Sequence, residues 1–185
     1  MYHIKNDKRA QASSELICAG LLACIKEKPF ARITITDVQH TSTVSRSTFY
    51  RNFDCLEDVL ALLCDRGFQA VFTEYNALPP AQRGSLAKAV FQYWFRNSAV
   101  LEALVQIHRT DILFDSLRRS SGLIEALQPL ADNPARFDYF VAIITSAMIG
   151  VLTVWVEHGK TETEDQMVQK LTSAFIEMAI LELPV

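Results

Sequence analysis

The stretch Thr34–Phe53, TITDVQHTSTVSRSTFYRNF, decides the fold of this chain of 185 residues. Thr34 is a suitable N-terminal cap for a helix, and Asp37 lies in the first turn that follows it, where the helix dipole favours an acid. Ser45 offers a second cap after a run of small polar residues. The stretch therefore predicts two short helices joined by a tight turn.

The second of these helices has an apolar face and a polar face. Val44, Phe49 and Phe53 recur at helical spacing, which predicts that they hold the helix against the helices before it. No acid occurs between Val38 and Asn52, where hydroxyl and basic side chains dominate. For a single residue, a merely solvated polar face is an equally good interpretation. For the whole set, the pattern favours a helix that lies in the major groove of DNA.

Each residue type on the polar face has a chemistry that suits DNA. Arg46 can bond guanine in a bidentate way or reach a phosphate, and Thr48 and Tyr50 can donate to phosphate oxygens. Thr34 and Thr36 begin the preceding helix, whose N-terminus also favours phosphate. The candidate DNA-binding residues are Thr34, Thr36, Ser45, Arg46, Ser47, Thr48, Tyr50, Arg51 and Asn52.

Charge is distributed unevenly along the chain. Residues 1–56 contain eight Lys or Arg and five Asp or Glu, a net charge of +3, which leaves −6 for residues 57–185 of a chain whose total is −3. A basic head on an acidic body suits a protein that meets phosphates through one end, although a difference of this size also arises by chance. Lys5, Lys8 and Arg9 in the N-terminal segment predict a loose electrostatic arm.

Apolar residues elsewhere recur at helical rather than alternating spacing, so the fold is predicted to be all-α. Ser13 or Ser14 is the expected start of the first helix, Pro29 its stop, and Gly159 the stop of the penultimate one. We expect a three-helix head over residues 1–54 and a helical body over residues 55–185. Besides the two short helices, the predicted helices are 12–28, 56–75, 85–96, 98–107, 109–119, 136–158 and 163–183.

The head resembles that of the TetR family of transcriptional regulators over about residues 12–68. The matching parts are Thr34, Val38, Val44-Ser45, the run TFYRNF at Thr48–Phe53 and the following Glu57-Asp58-Val59-Leu60. The resemblance implies a helix-turn-helix head that binds DNA and a helical body with a ligand pocket. It also implies a two-fold dimer formed by the last two long helices.

Two positions depart from the family pattern. Ser42-Thr43 stands where the family usually has Ala-Gly, and a Thr with positive φ costs energy, so the turn is expected to be reshaped. Leu56 stands where the family often has Lys, which removes one phosphate contact. Both departures keep an alternative open: a protein of the same fold, acting as an interaction or co-regulator protein, whose head docks a protein partner rather than DNA.

The body offers candidates for the implied ligand pocket and dimer. An apolar or aromatic effector is expected from the candidate pocket residues Phe91, Trp94, Leu104, His108 and Phe114, although each is individually as well explained as a core residue.

Residues 139–156 form an uncharged run at the length threshold for a membrane span, yet no Lys or Arg cluster flanks it. We therefore expect a buried helix, no membrane, and a homodimer that uses the small residues Ala142, Ala147 and Gly150 with Met167, Leu171, Phe175 and Met178.

No pattern in the chain indicates an enzyme. The four histidines are scattered, no glycine-rich phosphate loop or metal-ligand spacing occurs, and nothing calls for a cofactor. The four cysteines form no CxxC pair, and the N-terminus has no signal peptide, which together favour the cytoplasm. The sequence therefore predicts a ligand-responsive repressor that binds a palindromic operator as a homodimer.

Overall fold

The computed structural model of the chain describes residues 2–125, 127 and 132–181, the last of these by its backbone alone. No strand occurs among these residues, which confirms the all-α prediction. The helices are α1 (Lys8–Glu27), α2 (Ile35–Ser42), α3 (Arg46–Asn52), α4 (Leu56–Ala77), α5 (Leu86–Arg96), α6 (Ser98–Gln106), α7 (Thr110–Ser120), α8 (Pro134–Glu157) and α9 (Glu164–Leu181). The predicted end of the last helix, at residue 183, lies outside the described residues.

Helix α1 begins earlier than the sequence suggested. Its cap is Asp7, whose Oδ1 accepts from the Ala10 N–H at 2.8 Å, so the predicted start at Ser13 or Ser14 is wrong. Ser14 lies inside the helix and is fully buried, and its hydroxyl donates to the Gln11 carbonyl at 2.7 Å. Asp and Ser are equally good caps, so the acid nearer the N-terminus extends the helix by a turn.

Helices α1 and α2 approach each other closely at one glycine. A Cβ placed on Gly20 would lie 2.8 Å from the Ser42 Cβ and 3.1 Å from the Val38 carbonyl oxygen. Neither distance leaves room for a methyl group, and one neighbour is backbone. Gly20 is therefore what lets α2 lie against α1, and Val38 is fully buried as a result.

The chain divides into two compact units. The first comprises the described residues within Met1–Gly67 and Ser98–Ser116, and α6 belongs to it because α6 packs against α1. Helix α4 begins in this unit and ends in the second. The limits of these two units thus differ from the domain boundary that the sequence predicted after residue 54. That boundary stays a prediction. The core of the first unit includes Ile17, Leu21, Val38, Phe49, Phe53, Val59, Leu60, Leu101, Leu104 and Leu113.

The second unit comprises the described residues within Phe68–Asn97 and Leu117–Val185. Its core contains Trp94, whose ring lies edge-on to Phe68 at a centroid distance of 5.3 Å. Trp155 of α8 stacks on Phe95 of α5 at 3.9 Å, so aromatic rings fix α8 to α5. Helix α8 ends at Glu157, and Gly159, two residues later, has the left-handed φ of 78° that suits its predicted role as the stop.

Helix α8 is only partly buried within the chain. Among the described residues it is the one helix long and apolar enough to cross a membrane, by length and composition alone, and a third of its most apolar window (33%) is buried. Its inner face includes Leu152 and Trp155, whereas Tyr139, Ile143 and Val154 are exposed. The sequence predicted that α8 is buried on every side. Within a single chain, α8 is therefore less buried than predicted.

The apolar stripe predicted for α9 also divides between inside and outside. Met167 and Leu171 are buried in their own unit, where α9 packs against α5, so they are not free to meet a partner as predicted. Ile176, Met178 and Ile180 are exposed instead. The exposed apolar surface of α9 thus lies nearer its C-terminal end than the sequence indicated.

Candidate nucleic-acid interface and internal cavity

A reciprocal cap fixes the N-terminus of α2. The Thr34 hydroxyl oxygen accepts from the Asp37 N–H at 3.2 Å, and the Asp37 carboxylate accepts from the Thr34 N–H at 2.7 Å. Lys28 lies 2.8 Å from the same carboxylate. Hydrogen bonds from Lys28 and then Thr34 hold the pKa of Asp37 well below its usual value. The acid is therefore compensated, and exposed Thr34 and Thr36 lie at a fixed helix end.

Helix α3 is held by its aromatic face. Phe49 and Phe53 are fully buried, and their ring centroids lie 5.8 Å apart. Val44, just before the helix, is also buried, as the sequence predicted. The Ser45 hydroxyl caps the helix by accepting from the Thr48 N–H at 3.3 Å, which confirms the predicted start. With one face fixed, the opposite face has a defined direction.

The outward face of α3 presents most of the predicted side chains. Ser45, Arg46, Ser47, Tyr50 and Arg51 are exposed, and Thr48 is half-buried. The Arg46 guanidinium donates to the Tyr50 hydroxyl at 3.2 Å and lies 5.3 Å from the centre of the Tyr50 ring. The two side chains therefore form a pre-arranged pair, in which a planar donor lies beside an aromatic ring.

Asn52 is the exception among the predicted contact residues. Only 1% of it is exposed, and its amide donates to the Thr48 carbonyl at 2.8 Å. Its own carbonyl accepts from the His3 N–H at 3.0 Å. The prediction that its side chain faces DNA is therefore wrong: Asn52 closes the last turn of α3 and receives the N-terminal segment.

The N-terminal segment is attached to the first unit rather than loose. Besides the bond from His3 to Asn52, the Tyr2 hydroxyl donates to the Asp65 carboxylate at 2.5 Å. Asp65 lies on α4 and also accepts from Ser116 of α7. The expectation of a loose arm is therefore wrong, because hydrogen bonds at its first residues fix its course. No sequence periodicity signals such bonds.

The five predicted pocket residues are divided between the two compact units. Phe91 and Trp94 are buried in the second unit, while Leu104, His108 and Phe114 belong to the first. Leu104 is a core residue. His108 is exposed, with a left-handed φ of 55°, and its N–H donates to Val105 at the end of α6. His108 therefore lies at an exposed helix end rather than in the core, and its role as a polar contact for a ligand stays a prediction.

The second unit contains an apolar cavity of about 220 Å³ that sequence reasoning missed. Among the described residues of its wall, Ser121 and Thr145 are the ones that bear a hydroxyl, and both are buried. Thr145 lies in the middle of the uncharged run of α8, and a polar residue there is the one signal that could have indicated it. The wall consists of Phe72, Leu86, Ala87, Val90, Leu117, Ser121, Ile124, Leu127, Phe140, Val141, Ile144, Thr145 and Met148.

Sequence comparison assigns the part of the chain that supplies all but one of the described residues of this cavity's wall. Residues 85–177 match the family model TetR_C_8, described as a transcriptional regulator C-terminal region. The chain belongs to the TetR family of transcriptional regulators. No curated protein matches it in sequence. The matched region includes the whole of α8, so this apolar helix is part of the regulator's C-terminal region.

Solved structures share the fold over nearly the whole length. Lin0861 from Listeria innocua has a TM-score of 0.75 and 18% identity, covering 95% of this chain and 96% of its own. A protein of Syntrophomonas wolfei assigned to the TetR family has a TM-score of 0.65 and 18% identity, with 95% and 98% covered. A TetR transcriptional regulator from Streptococcus agalactiae has a TM-score of 0.59 and 17% identity, with 89% and 93% covered. At these identities the likeness concerns the fold.

The two departures from the usual TetR-family head have different structural consequences. Thr43 adopts φ 57° and ψ 20°, so the turn keeps the left-handed geometry that suits glycine and is strained rather than reshaped. Ser42 is buried, and its hydroxyl has no partner among the described residues. Leu56 is only 8% exposed, at the start of α4, so an apolar contact replaces the amine at this position.

Replacing Thr43 by glycine is expected to stabilise the protein. The left-handed conformation costs an L-residue about 1–2 kcal/mol, and the greater freedom of glycine in the unfolded chain offsets part of the gain. We expect Thr43→Gly to raise the free energy of unfolding by about 0.5–1 kcal/mol in urea denaturation. Thr43→Ala is the matched control because it keeps a Cβ in the left-handed region. Equal midpoints for the two variants would show that the turn stores no such strain.

Proposed function

We propose that this TetR-family regulator is a cytoplasmic, ligand-responsive repressor that binds a palindromic operator as a homodimer. The observation that carries the proposal is α3, with one face fixed by Phe49 and Phe53 and the other exposed, acid-free and rich in hydroxyls. A helix of this kind meets the two requirements of major-groove recognition: a rigid orientation and side chains that can bond base edges.

The exposed residues divide by chemistry into those that suit contacts to base edges and those that suit contacts to phosphates. Arg46, held beside Tyr50, has the fork of donors that matches guanine, so we assign base reading to it. Thr34 and Thr36 lie at the N-terminal end of α2, where backbone N–H groups and hydroxyls suit phosphate. Specificity is thus expected from α3, and register on the duplex from α2.

Fluorescence anisotropy with DNA flanking the protein's own gene tests this assignment. We expect tight binding that weakens with salt, weaker binding to a scrambled duplex, and reduced transcription from the adjacent promoter when the protein is added. Arg46→Ala removes a base contact worth about 1–3 kcal/mol, so its operator affinity should fall by roughly tenfold or more, and its affinity for the scrambled duplex much less.

The control for charge loss is Arg136→Ala, which removes an exposed arginine at the start of α8. It is expected to bind the operator as the wild type does. Equal, weak binding of the wild-type protein to both duplexes would contradict DNA recognition. That result would favour the alternative in which the head docks a protein partner.

Exposed apolar side chains of α8 and α9 support the homodimer. Ile143 and Val154 on α8 and Met178 on α9 border an apolar groove of about 510 Å³ between the two helices. Gly150 and Ala147 line the same groove and allow a second helix to approach closely. A contiguous apolar surface of this kind is rare on a monomer. Two helices from each copy would form a four-helix bundle with two-fold symmetry, covering the exposed face of α8.

A charge placed in this groove should separate the copies. Met178 is 58% exposed, so Met178→Asp is expected to leave the isolated fold intact and to give a monomer in light scattering at micromolar concentration. Leu16→Asp is the matched control: Leu16 is an apolar residue of α1 that is 51% exposed. We expect it to remain dimeric. A wild-type monomer under the same conditions would contradict the dimer.

The apolar cavity supports a small apolar or aromatic effector. Its volume of about 220 Å³ exceeds the ~150 Å³ of an apolar cavity known to take up benzene. Ser121 and Thr145 supply hydroxyls for one polar group of the ligand. Phe72 of the cavity wall lies on α4, the helix that starts two residues after Asp54 in the head. An effector that binds one position of α4 better than another would thereby change the separation of the two α3 helices.

Thermal denaturation with indole as the probe tests the cavity. With a Kd of about 0.1 mM, 1 mM indole would stabilise the fold by about 1.4 kcal/mol and raise Tm by about 3–6 °C. Ala87→Phe fills the cavity and should abolish the increase, whereas Ala70→Phe, at an exposed alanine of α4, should retain it. An equal rise of Tm in both variants would place the ligand elsewhere.

A further inference from the structure

A polar groove of about 300 Å³ lies beside α3 in the first unit, and three cations from separate parts of the chain line it. Lys5 comes from the N-terminal segment, Arg9 from the first turn of α1, and Arg51 from the last turn of α3. Ser13 and Thr48 add hydroxyls to the wall. The groove therefore combines the donors that bind a phosphate group: guanidinium, ammonium and hydroxyl.

The one acid among the described residues of the groove wall, Asp7, is already engaged. Asp7 accepts from the Ala10 N–H as the cap of α1, which commits one carboxylate oxygen to the helix end. None of the three cations forms an ion pair within the described part of the chain. By contrast, Lys28 pairs with Asp37 and Lys88 with Asp165. Three converging cations repel one another, so their arrangement favours an anion between them.

Hydrogen bonds hold the N-terminal segment at this place, including one of 3.4 Å between the His3 ring Nε2 and the Tyr50 carbonyl oxygen. The His3 N–H donates to the Asn52 carbonyl at the end of α3, and the Tyr2 hydroxyl donates to Asp65 on α4. Lys5 follows two residues later, so its backbone position is restricted. Fixing a long cationic side chain close to its ligand lowers the entropy that binding must remove.

We propose that Lys5, Arg9 and Arg51 form one subsite for a backbone phosphate of the DNA, and that Tyr2 and His3 position the segment that completes it. The proposal rests on the proposed function, because it takes α3 to face the duplex. The groove is open and shares Thr48 and Arg51 with the outward face of α3, so a phosphate of the strand beside α3 is the ligand that this geometry favours. Such a contact fixes register and carries no sequence information.

Salt titrations of DNA binding by Lys5→Ala and Arg9→Ala test the subsite. Loss of one phosphate contact lowers the slope of log K against log salt by about 0.9. Each variant's Kd, relative to that of the wild type, should therefore be raised most at low salt, and this ratio should fall about 3.5-fold between 50 and 200 mM salt. The increase in Kd should be equal for the native duplex and a scrambled one, since phosphate is common to both.

Lys26→Ala is the matched control. Lys26 is an exposed lysine at the other end of α1, about 25 Å along the helix axis from Arg9. We expect its salt slope to equal that of the wild type. Equal slopes for Lys5→Ala, Arg9→Ala and Lys26→Ala would overturn the subsite while leaving DNA recognition intact. Failure of the wild-type protein to bind any duplex would instead overturn the proposed function.

Tyr2→Phe separates anchoring from charge, because it removes one hydrogen bond and keeps every cation. It should weaken binding to both duplexes by less than Lys5→Ala does, and wild-type affinity for this variant would overturn the positioning role.

Inorganic phosphate at constant ionic strength tests the other source of the anion. If it raises the Tm of the wild type but not of Arg9→Ala, while all variants bind DNA alike, the groove binds free phosphate and the proposal is overturned.

Discussion

The burial of Phe49 and Phe53 is the interaction on which the head depends. Helix α3 has seven residues, too few for a helix to persist in water by itself. Complete burial of each aromatic side chain contributes about 1.5–3 kcal/mol, so the two rings together supply the stabilisation that α3 lacks. The same contact sets the rotation of α3 about its axis. The exposure of Arg46 and Tyr50 is therefore a consequence of core packing.

The turn before α3 carries the strain of this arrangement. Gly20 lets α1 and α2 approach until Ser42 is buried, and the chain must then reverse within a few residues to begin α3. Thr43 does this in the left-handed region, and the Ser42 hydroxyl remains without a partner among the described residues. Both features destabilise the turn, and they persist because the packing of α2 on α1 before it and the burial of Phe49 and Phe53 after it over-determine its geometry.

Local sequence patterns predicted the features that depend on neighbouring residues. The features that they missed depend on packing between residues far apart in the sequence. Helical periodicity and capping chemistry gave the helices, the caps at Thr34 and Ser45 and the buried face of α3. They wrongly predicted that the Asn52 side chain faces DNA, since its amide donates a hydrogen bond within its own helix. They also failed to indicate the apolar cavity of the second unit, whose wall comes from four helices and an intervening turn. Residues such as Ala87 and Leu117 share a wall only through tertiary folding, and neither has a sequence signal of its own.

The candidate DNA surface differs from the rest of the chain less in its net charge than in whether its cations are paired with acids. A head charge of +3 is modest, and several cations of the chain, including Lys28 and Arg109, are neutralised by a neighbouring acid. Arg46 instead rests on an aromatic ring, and Arg51 forms no ion pair with the described residues. An ion pair must be broken before a cation can bind phosphate, which lowers the net gain. The cations of α3 avoid this penalty, so a small net charge can still produce strong binding at one surface.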